Sequence, residues 1–474
     1  MLHDKATSRP PAKQLRAWVI LAVLLIVPRF ARAAADPGVR GGTPSAGGAL
    51  PGLTADESTF FNDGQTRFQN VETVRGSSNV GLGPRFNLNQ CSGCHSQPAI
   101  GGSSPPTNPQ VAVATLDGAK NSVPWFVTAQ GPVREARFKT DGGVHDLYVI
   151  TGRGDASGCS IAQPSFTPAG NPLTGQGGNP NIIFRIPTPT FGAGLIEAIP
   201  DSTILANMSA NARSNAALGI SGHPNLSGND GSITRFGWKA QNKSLLMFAG
   251  EAYNVEMGIS NQLFPQKRDE TQGCVLNPTP DDYLNFSASP NSAVLSDIEA
   301  FADFMRMLAP PTPAPDTAST IRGRTTFRTI GCAACHTPSM KTGKNTSGSG
   351  TIPSAALSNQ QVNLFSDLLL HNMGRGLGDG ISQGAAGPNE FRTAPLWGLG
   401  QRIFFLHDGR TSDLLQAILA HADGGLQNAA NEGPQGNQGG FGGRGGSEAD
   451  QVIANFENLS DSEQQDVLNF LRGL

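Results

Sequence analysis

Apolar residues recur every three or four positions in a few stretches of this chain, and those stretches predict its helices. Leu295, Ile298, Phe301, Ala302, Met305 and Leu308 share one face, which predicts an amphipathic helix over residues 292–308. A second helix closes the chain: Ser460-Asp461-Ser462-Glu463 is a capping box, and Val467, Leu471 and Leu474 form the apolar face behind it. Thr54, with Glu57 three residues on, predicts the start of a helix carrying Phe60, Phe61, Phe68 and Val71. Residues 412–421 read as a helix with Leu414, Ile418 and His421 on one face, and another helix opens at Asp316. Between Val111 and about Tyr253 the period changes. Residues 111–115, 147–151 and 182–186 are apolar or β-branched runs bounded by Gly, Asn, Asp or Pro, which predicts short strands. Ala309-Pro310-Pro311-Thr312-Pro313-Ala314-Pro315 is a stiff extended linker, and residues 342–354 and 424–446 read as polar, glycine-rich loops.

The first 35 residues follow a different rule. Lys5, Arg9, Lys13 and Arg16 precede the apolar run 17–27, and Ala31-Arg32-Ala33 or Ala33-Ala34-Ala35 offers a small-residue cleavage site. That is the pattern of a secretory signal peptide, too short to span a bilayer. No later stretch approaches ~18 consecutive apolar residues, so the expectation is a soluble periplasmic protein without stable membrane insertion. A net charge of -3 with no basic block excludes nucleic acid as a partner.

Two short motifs carry the chemistry. Cys91-Ser92-Gly93-Cys94-His95 and Cys332-Ala333-Ala334-Cys335-His336 both spell C-x-x-C-H, the pattern of covalent c-type haem attachment. Two thiols on one helical turn can bond the two vinyl groups of one porphyrin, and the following His95 or His336 can bind its iron. A structural zinc site needs four protein ligands, and neither motif has a second pair nearby. A thioredoxin-like pair needs a βαβ context that the flanks lack. Two covalently bound haem c groups are therefore expected. They also account for the composition: 59 Gly and 34 Pro with only 38% hydrophobic residues suit small cores to which a macrocycle adds apolar volume. Cys159 and Cys274 remain, an even pair that in an oxidising compartment is a candidate disulfide.

Gly64 and Phe68 have counterparts in Gly323 and Phe327 ahead of the second motif. In class I cytochrome c folds a glycine and an aromatic so spaced let the last helix cross the first closely, so the pair looks like a domain repeat. The expected fold is mainly α, with two cytochrome c-like haem domains. Residues 1–35 are the signal peptide, 36–53 a flexible lead-in and 54–309 the first domain, with a strand- and loop-rich insertion over 111–290. Residues 310–315 are the linker and 316–474 the second domain.

Arg392-Thr393-Ala394-Pro395-Leu396-Trp397-Gly398-Leu399, followed by Leu406-His407-Asp408-Gly409-Arg410 and the helix to His421, resembles the C-terminal signature of the bacterial di-haem cytochrome c peroxidase superfamily. Ser366-Asp367-Leu368-Leu369-Leu370-His371-Asn372-Met373-Gly374 and residues 191–200 are similar to its di-haem oxidoreductase branch, also labelled thiol oxidoreductases. The resemblance implies that His421 supplies the distal ligand of the C-terminal haem, at a position where the peroxidases usually carry Met. An imidazole there should lower the haem potential. It also implies a pocket wall for His371 and Met373. His407 is expected on a propionate or a backbone group, and His145 and His223 at the surface or in structural roles. Arg402-Ile403-Phe404 replaces the run that helps hold calcium in the peroxidases, so calcium is not expected.

The N-terminal haem has no obvious sixth ligand and is the candidate reaction centre. Peroxide cleavage needs a group that moves a proton between the two oxygens. Glu197 is the first candidate for that catalytic role, ahead of Glu251 and Glu256, and Trp125 and Trp397 are candidates for passing electrons between haems. The expected activity is a peroxidase-like oxidoreductase that reduces peroxide or activates oxygen. The alternatives are a non-catalytic electron-transfer cytochrome, or an oxidase or oxygenase acting on an organic or protein substrate. The resemblance further implies a periplasmic electron donor of small cytochrome or cupredoxin type, a small-molecule oxidant and a homodimer. No cysteine outside the haem motifs supports thiol chemistry.

Overall fold

Helices dominate the protein. The structure, a computed structural model, describes residues 1, 33–73, 81–116, 121–140, 148–149, 162–167, 181–267, 271–273, 280–344, 354–423 and 446–474. The main helices are α1 (Ala55–Phe68), α2 (Asp201–Ala216), α3 (Leu245–Met257), α4 (Asp297–Met307), α5 (Ala318–Thr329), α6 (Leu414–Leu419), α7 (Asp450–Glu457) and α8 (Asp461–Gly473). Among the described residues, strands form only two-stranded antiparallel pairs, such as Glu135–Phe138 with Ile182–Arg185 and Leu370–Asn372 with Glu390–Arg392.

Both capping boxes read from the sequence are present. The Thr54 hydroxyl accepts from Glu57 N at 3.2 Å while the Glu57 carboxylate accepts from Thr54 N at 2.7 Å, and Ser460 and Glu463 do the same for α8. Two glycines then set how the helices cross. A Cβ on Gly64 would lie 2.2 Å from the Ala300 carbonyl oxygen of α4, and one on Gly323 of α5 would lie 1.9 Å from the Asp466 carbonyl oxygen of α8. Only a residue without Cβ permits so close an approach of two helix backbones. One turn on, Phe68 packs on Phe304 at 5.1 Å and Phe327 on Phe470 at 5.5 Å. Each of these phenylalanines also meets the histidine that follows a cysteine pair, His95 at 6.0 Å and His336 at 6.2 Å. The pairs α1/α4 and α5/α8 are thus two copies of one arrangement.

Other elements depart from the sequence reading. Residues 111–115 do not form a strand: Gln110–Val113 is a helical turn, started where the Asn108 side chain accepts from Gln110 N at 2.9 Å. The strands expected near 147–151 and 182–186 appear as Tyr148–Val149 and Ile182–Arg185. The helix expected over 292–308 is split into a 3-10 turn, Asn291–Val294, and α4, because Ser296 caps a new start. The lead-in is not free. Asp36 accepts from Arg472 of α8 at 2.7 Å and from Leu414 N at the start of α6, also at 2.7 Å. Backbone bonds then run from Ala309 N to Gly48 O and from Thr312 N to Ser45 O, so lead-in and linker lie side by side.

The core follows the two crossings with one exchange. One cluster gathers Phe61, Phe68, Phe301 and Phe304, and another Phe327, Phe456, Phe470 and Leu471. Met340, Val362, Leu364 and Leu369, beyond the linker, join the first cluster. The chain after the second motif therefore packs back onto the first half. Cys159, Cys274, His145, the signal peptide up to residue 32 and residues 424–445 of the glycine-rich loop lie outside the described residues.

Candidate functional site

Each C-x-x-C-H motif forms one tight turn. Cys91–Cys94 is a single helical turn, and Cys332–Ala334 is a 3-10 turn entered through Gly331, whose φ of 108 suits only glycine. In both, the imidazole Nδ1 meets a backbone carbonyl at 3.0 Å: His95 with Gly102 O and His336 with Phe365 O. A carbonyl only accepts, so Nδ1 carries the proton and Nε2 keeps its lone pair, the tautomer a metal ligand needs. Burial raises all four thiols above their ordinary range, Cys332 to about 12. Such thiols are not nucleophilic at neutral pH, in line with an attachment role rather than thiol redox chemistry.

The second motif opens into a cavity of about 1380 Å³, lined by Cys332, Cys335, His336 and, from the far side of the sequence, His421. Asp413 caps α6 by accepting from Gln416 N, and the helix carries His421 to the cavity just past its end. His421 Nδ1 donates to Ala417 O at 2.8 Å, so its Nε2 is also a lone-pair donor. Burial lowers the pKa of both histidines, and the proximity of His421 lowers His336 further, to about 4. Two neutral imidazoles therefore share one cavity with a cysteine pair. His371 lines it too but is committed elsewhere, with Nε2 2.9 Å from Asp367 and Nδ1 2.7 Å from Glu448. Burial opposes charge on His371, but Asp367 and Cys335 hold its pKa well above the ordinary value. His371 and Met373 are wall residues in this geometry. His407 lines the same cavity with its ring stacked 4.3 Å from Phe391, while His223 pairs with Glu390 at 3.0 Å.

The first motif borders a smaller cavity of about 790 Å³, lined by Cys91 and His95 and, among the described residues, by no second histidine. Cys94 is buried in the same turn. The lining adds Glu135, Arg137, Gln241 and Glu256, together with Met257 and Met305. Arg137 is ion-paired with Glu135. Burial pushes Glu256 up to about 8, the charge of Glu135 adding to the shift and Arg137 opposing it. Glu197 is not among these lining residues. Its carboxylate accepts from Arg306 Nε and from Leu245 N, both at 2.8 Å, so it ties the 193–197 turn to α4 and α3. Glu251 likewise lies off the cavity, bonded to Asn242. The sequence pattern ranks Glu197 first because it sits in an apolar segment, but that segment is buried for packing.

A third cavity, of about 600 Å³, shares Thr188, Gly237 and Phe248 with the first and Arg392, Ala394 and Arg402 with the second. Trp238 lines all three, its Nε1 donating to Ile186 O at 2.9 Å. No periodicity or motif marked Trp238. Of the two tryptophans singled out by the sequence, Trp397 lines the connecting cavity, whereas Trp125 is 46% exposed in an aromatic cluster with Phe126 and Phe184. The residues present fit a macrocycle in each outer cavity. Thiol pairs, oriented imidazoles and apolar walls are all in place, and the buried Arg402 Nε has no hydrogen-bond acceptor among the described residues.

Comparison with known proteins bears on what such a site belongs to. The family described as "Di-haem oxidoreductase, putative peroxidase" matches residues 179–433, just over half of the chain. No curated protein matches. A solved structure similar to the chain is the Kuenenia stuttgartiensis hydrazine synthase pressurised with xenon, at 16% identity and a TM-score of 0.22. The match covers 39% of this chain and 56% of that one, so the chain spans little more than half the length of that structure.

Proposed function

Because the chain belongs to the di-haem oxidoreductase family, we propose that it is an exported, periplasmic, two-domain enzyme of peroxidase type. Cys91 and Cys94 tether one haem c, and Cys332 and Cys335 a second. The observation that carries this reading is the asymmetry of the two outer cavities among the described residues: one offers two lone-pair histidines, His336 and His421, and the other a single histidine, His95, with a set of ionisable and amide side chains. When bound, the haems supply reversible one-electron chemistry and, where a coordination position is open, a place for peroxide to be reduced.

His336 and His421 would hold the haem of the electron-entry site through their Nε2 lone pairs, and two imidazoles would lower its potential. Trp238, which borders both outer cavities and the one between them, provides an aromatic bridge from that site to the other. At the N-terminal cavity, Glu256, largely protonated at neutral pH because its pKa is pushed up to about 8, donates its proton to the departing peroxide oxygen and recovers one from the other. Arg137 and Gln241 orient the peroxide by donating hydrogen bonds to it. Two electrons and two protons reduce one hydrogen peroxide to two waters. Glu197 serves instead as the buried partner of Arg306. The electron donor is a small periplasmic cytochrome or cupredoxin. No helix among the described residues is long and apolar enough to cross a membrane.

A second reading has one observation behind it: Met257 and Met305 both line the N-terminal cavity, and a thioether there would close the sixth position and leave an electron relay. Low-temperature electron paramagnetic resonance of the ferric holoprotein separates the two, comparing wild type with His421→Ala. One high-spin and one low-spin signal, the low-spin one lost in the variant, is the enzyme's expected result. Two low-spin signals that persist when peroxide is added to the half-reduced protein would favour the relay.

A further inference from the structure

Two arginines face both the connecting cavity and the cavity of His336 and His421: Arg392 and Arg402. They are only 9% and 8% exposed. Arg392 donates to Gly237 O at 3.1 Å and, at 3.4 Å, to Thr393 O. Among the described residues the buried Nε of Arg402 has no acceptor, and no carboxylate forms an ion pair with either guanidinium. Several other buried cations are matched. Arg185 pairs with Asp379 at 2.7 Å, Arg306 with Glu197 at 2.8 Å and Arg472 with Asp36 at 2.5 Å. An arginine cannot escape the cost of burial by losing its proton at neutral pH, and burial lowers these two only to about 10. Two permanent cations thus line one cavity without an ion-pair partner among the described residues, the nearby carboxylates Asp367 and Glu448 being bonded to His371.

A planar guanidinium is the best match for a planar carboxylate, which it can grip through two parallel hydrogen bonds. A haem brings two such groups, its propionates. We propose that Arg392 and Arg402 form a carboxylate receptor, holding the propionates of the haem tethered by Cys332 and Cys335 where its cavity meets the connecting one. The receptor fixes the macrocycle against rotation about its thioethers and supplies positive charge beside the cofactor. It thereby offsets part of the lowering of potential that bis-imidazole ligation brings. This inference rests on the reading that a haem occupies that cavity.

The test uses the full-length holoprotein as wild type, Arg402→Gln, Arg402→Lys and Arg392→Gln. A pyridine haemochrome assay first counts covalent haems; their absence from the wild type would overturn the reading beneath the inference as well. Resonance Raman spectroscopy then follows the propionate-bending bands, which report hydrogen bonding to these carboxylates, and a redox titration follows the low-spin haem. Arg402→Gln should shift a propionate band and make reduction of that haem at least tenfold less favourable, a drop of 59 mV for one electron. Arg402→Lys, which keeps the charge but not the two-pronged grip, should shift the band with a smaller change in potential. Arg392→Gln gives a second reading of both signals should Arg402→Gln accumulate poorly. Bands and potential unchanged in a glutamine variant carrying two haems would overturn the proposal. So would unchanged bands with loss of acetate binding measured by titration, which would assign the arginines to a soluble carboxylate.

Discussion

Gly323→Ala isolates the feature on which the second half of the protein depends. The added Cβ would sit 1.9 Å from the Asp466 carbonyl oxygen and 2.9 Å from Phe470 Cβ. Ordinary contact begins near 3.4 Å, so α5 and α8 must part by about 1.5 Å. The obstruction is backbone, which cannot rotate aside as a long side chain would. Alanine favours the helical state over glycine by about 1 kcal/mol. Overpacking commonly costs about 1–3 kcal/mol, and a backbone obstruction puts this case at the upper end. A net loss of about 2 kcal/mol is expected. Phe327 lies between this crossing and His336, so the haem environment should loosen as well. Urea unfolding of the holoprotein, followed by haem absorbance, measures the loss. Thr325→Ala, on the exposed side of α5, is the control and should stay within about 0.5 kcal/mol of wild type. A Gly323→Ala protein as stable as that control would refute the claim that the close approach requires glycine.

The two glutamates separate catalysis from structure: Glu256→Gln should lower peroxide turnover about 100-fold or more with both haems retained. Glu197→Gln should mainly lower stability, by about 3 kcal/mol, because it leaves Arg306 without one of its buried partners. The opposite pattern in steady-state turnover and urea melts would return the proton-transfer role to Glu197. Asp282 accepts from Asp297 N at 2.6 Å and from Ile298 N at 3.1 Å at the start of α4, yet burial and then the charge of Asp297 push its pKa from 3.8 to about 7. A raised carboxyl pKa means the folded state holds the proton more tightly, so stability from this group is present below about pH 4 and is lost as pH rises towards 7. Asp282→Asn keeps an acceptor oxygen and should gain on wild type across that window. Urea midpoints at pH 4.5 and 7.5 that differ equally for the two proteins would contradict this.

Some of the architecture could be read directly because its cause is local. Thr54 with Glu57 and Ser460 with Glu463 satisfy the orphan amides of their own first turns, so the helix starts follow from four consecutive residues. The two C-x-x-C-H turns are equally self-contained, and the Gly64/Phe68 and Gly323/Phe327 spacing repeats because two helix pairs solve one packing problem twice. Where the cause is distant, the pattern misleads. The branched run after Val111 found no strand partner and stayed a helical turn, and the lead-in is held by Arg472, 436 residues away.

The candidate site divides along the same line. The two cysteine pairs and the histidines beside them are marked by their own short spacing, and His421 by a run that carries a whole helix, so the chain alone points to them as candidates. Which carboxylate faces a cavity depends on where neighbouring elements leave space. Glu197 and Glu256 are chemically alike in sequence, but only Glu256 meets the space beside His95. Trp238, Arg392 and Arg402 gain their positions from residues far apart in the chain that close around three adjoining cavities. Short-range physics, in caps, turns and helix periodicity, is written residue by residue. Exclusion of water and pairing of buried charge are properties of the closed packing, and only the tertiary structure decides them.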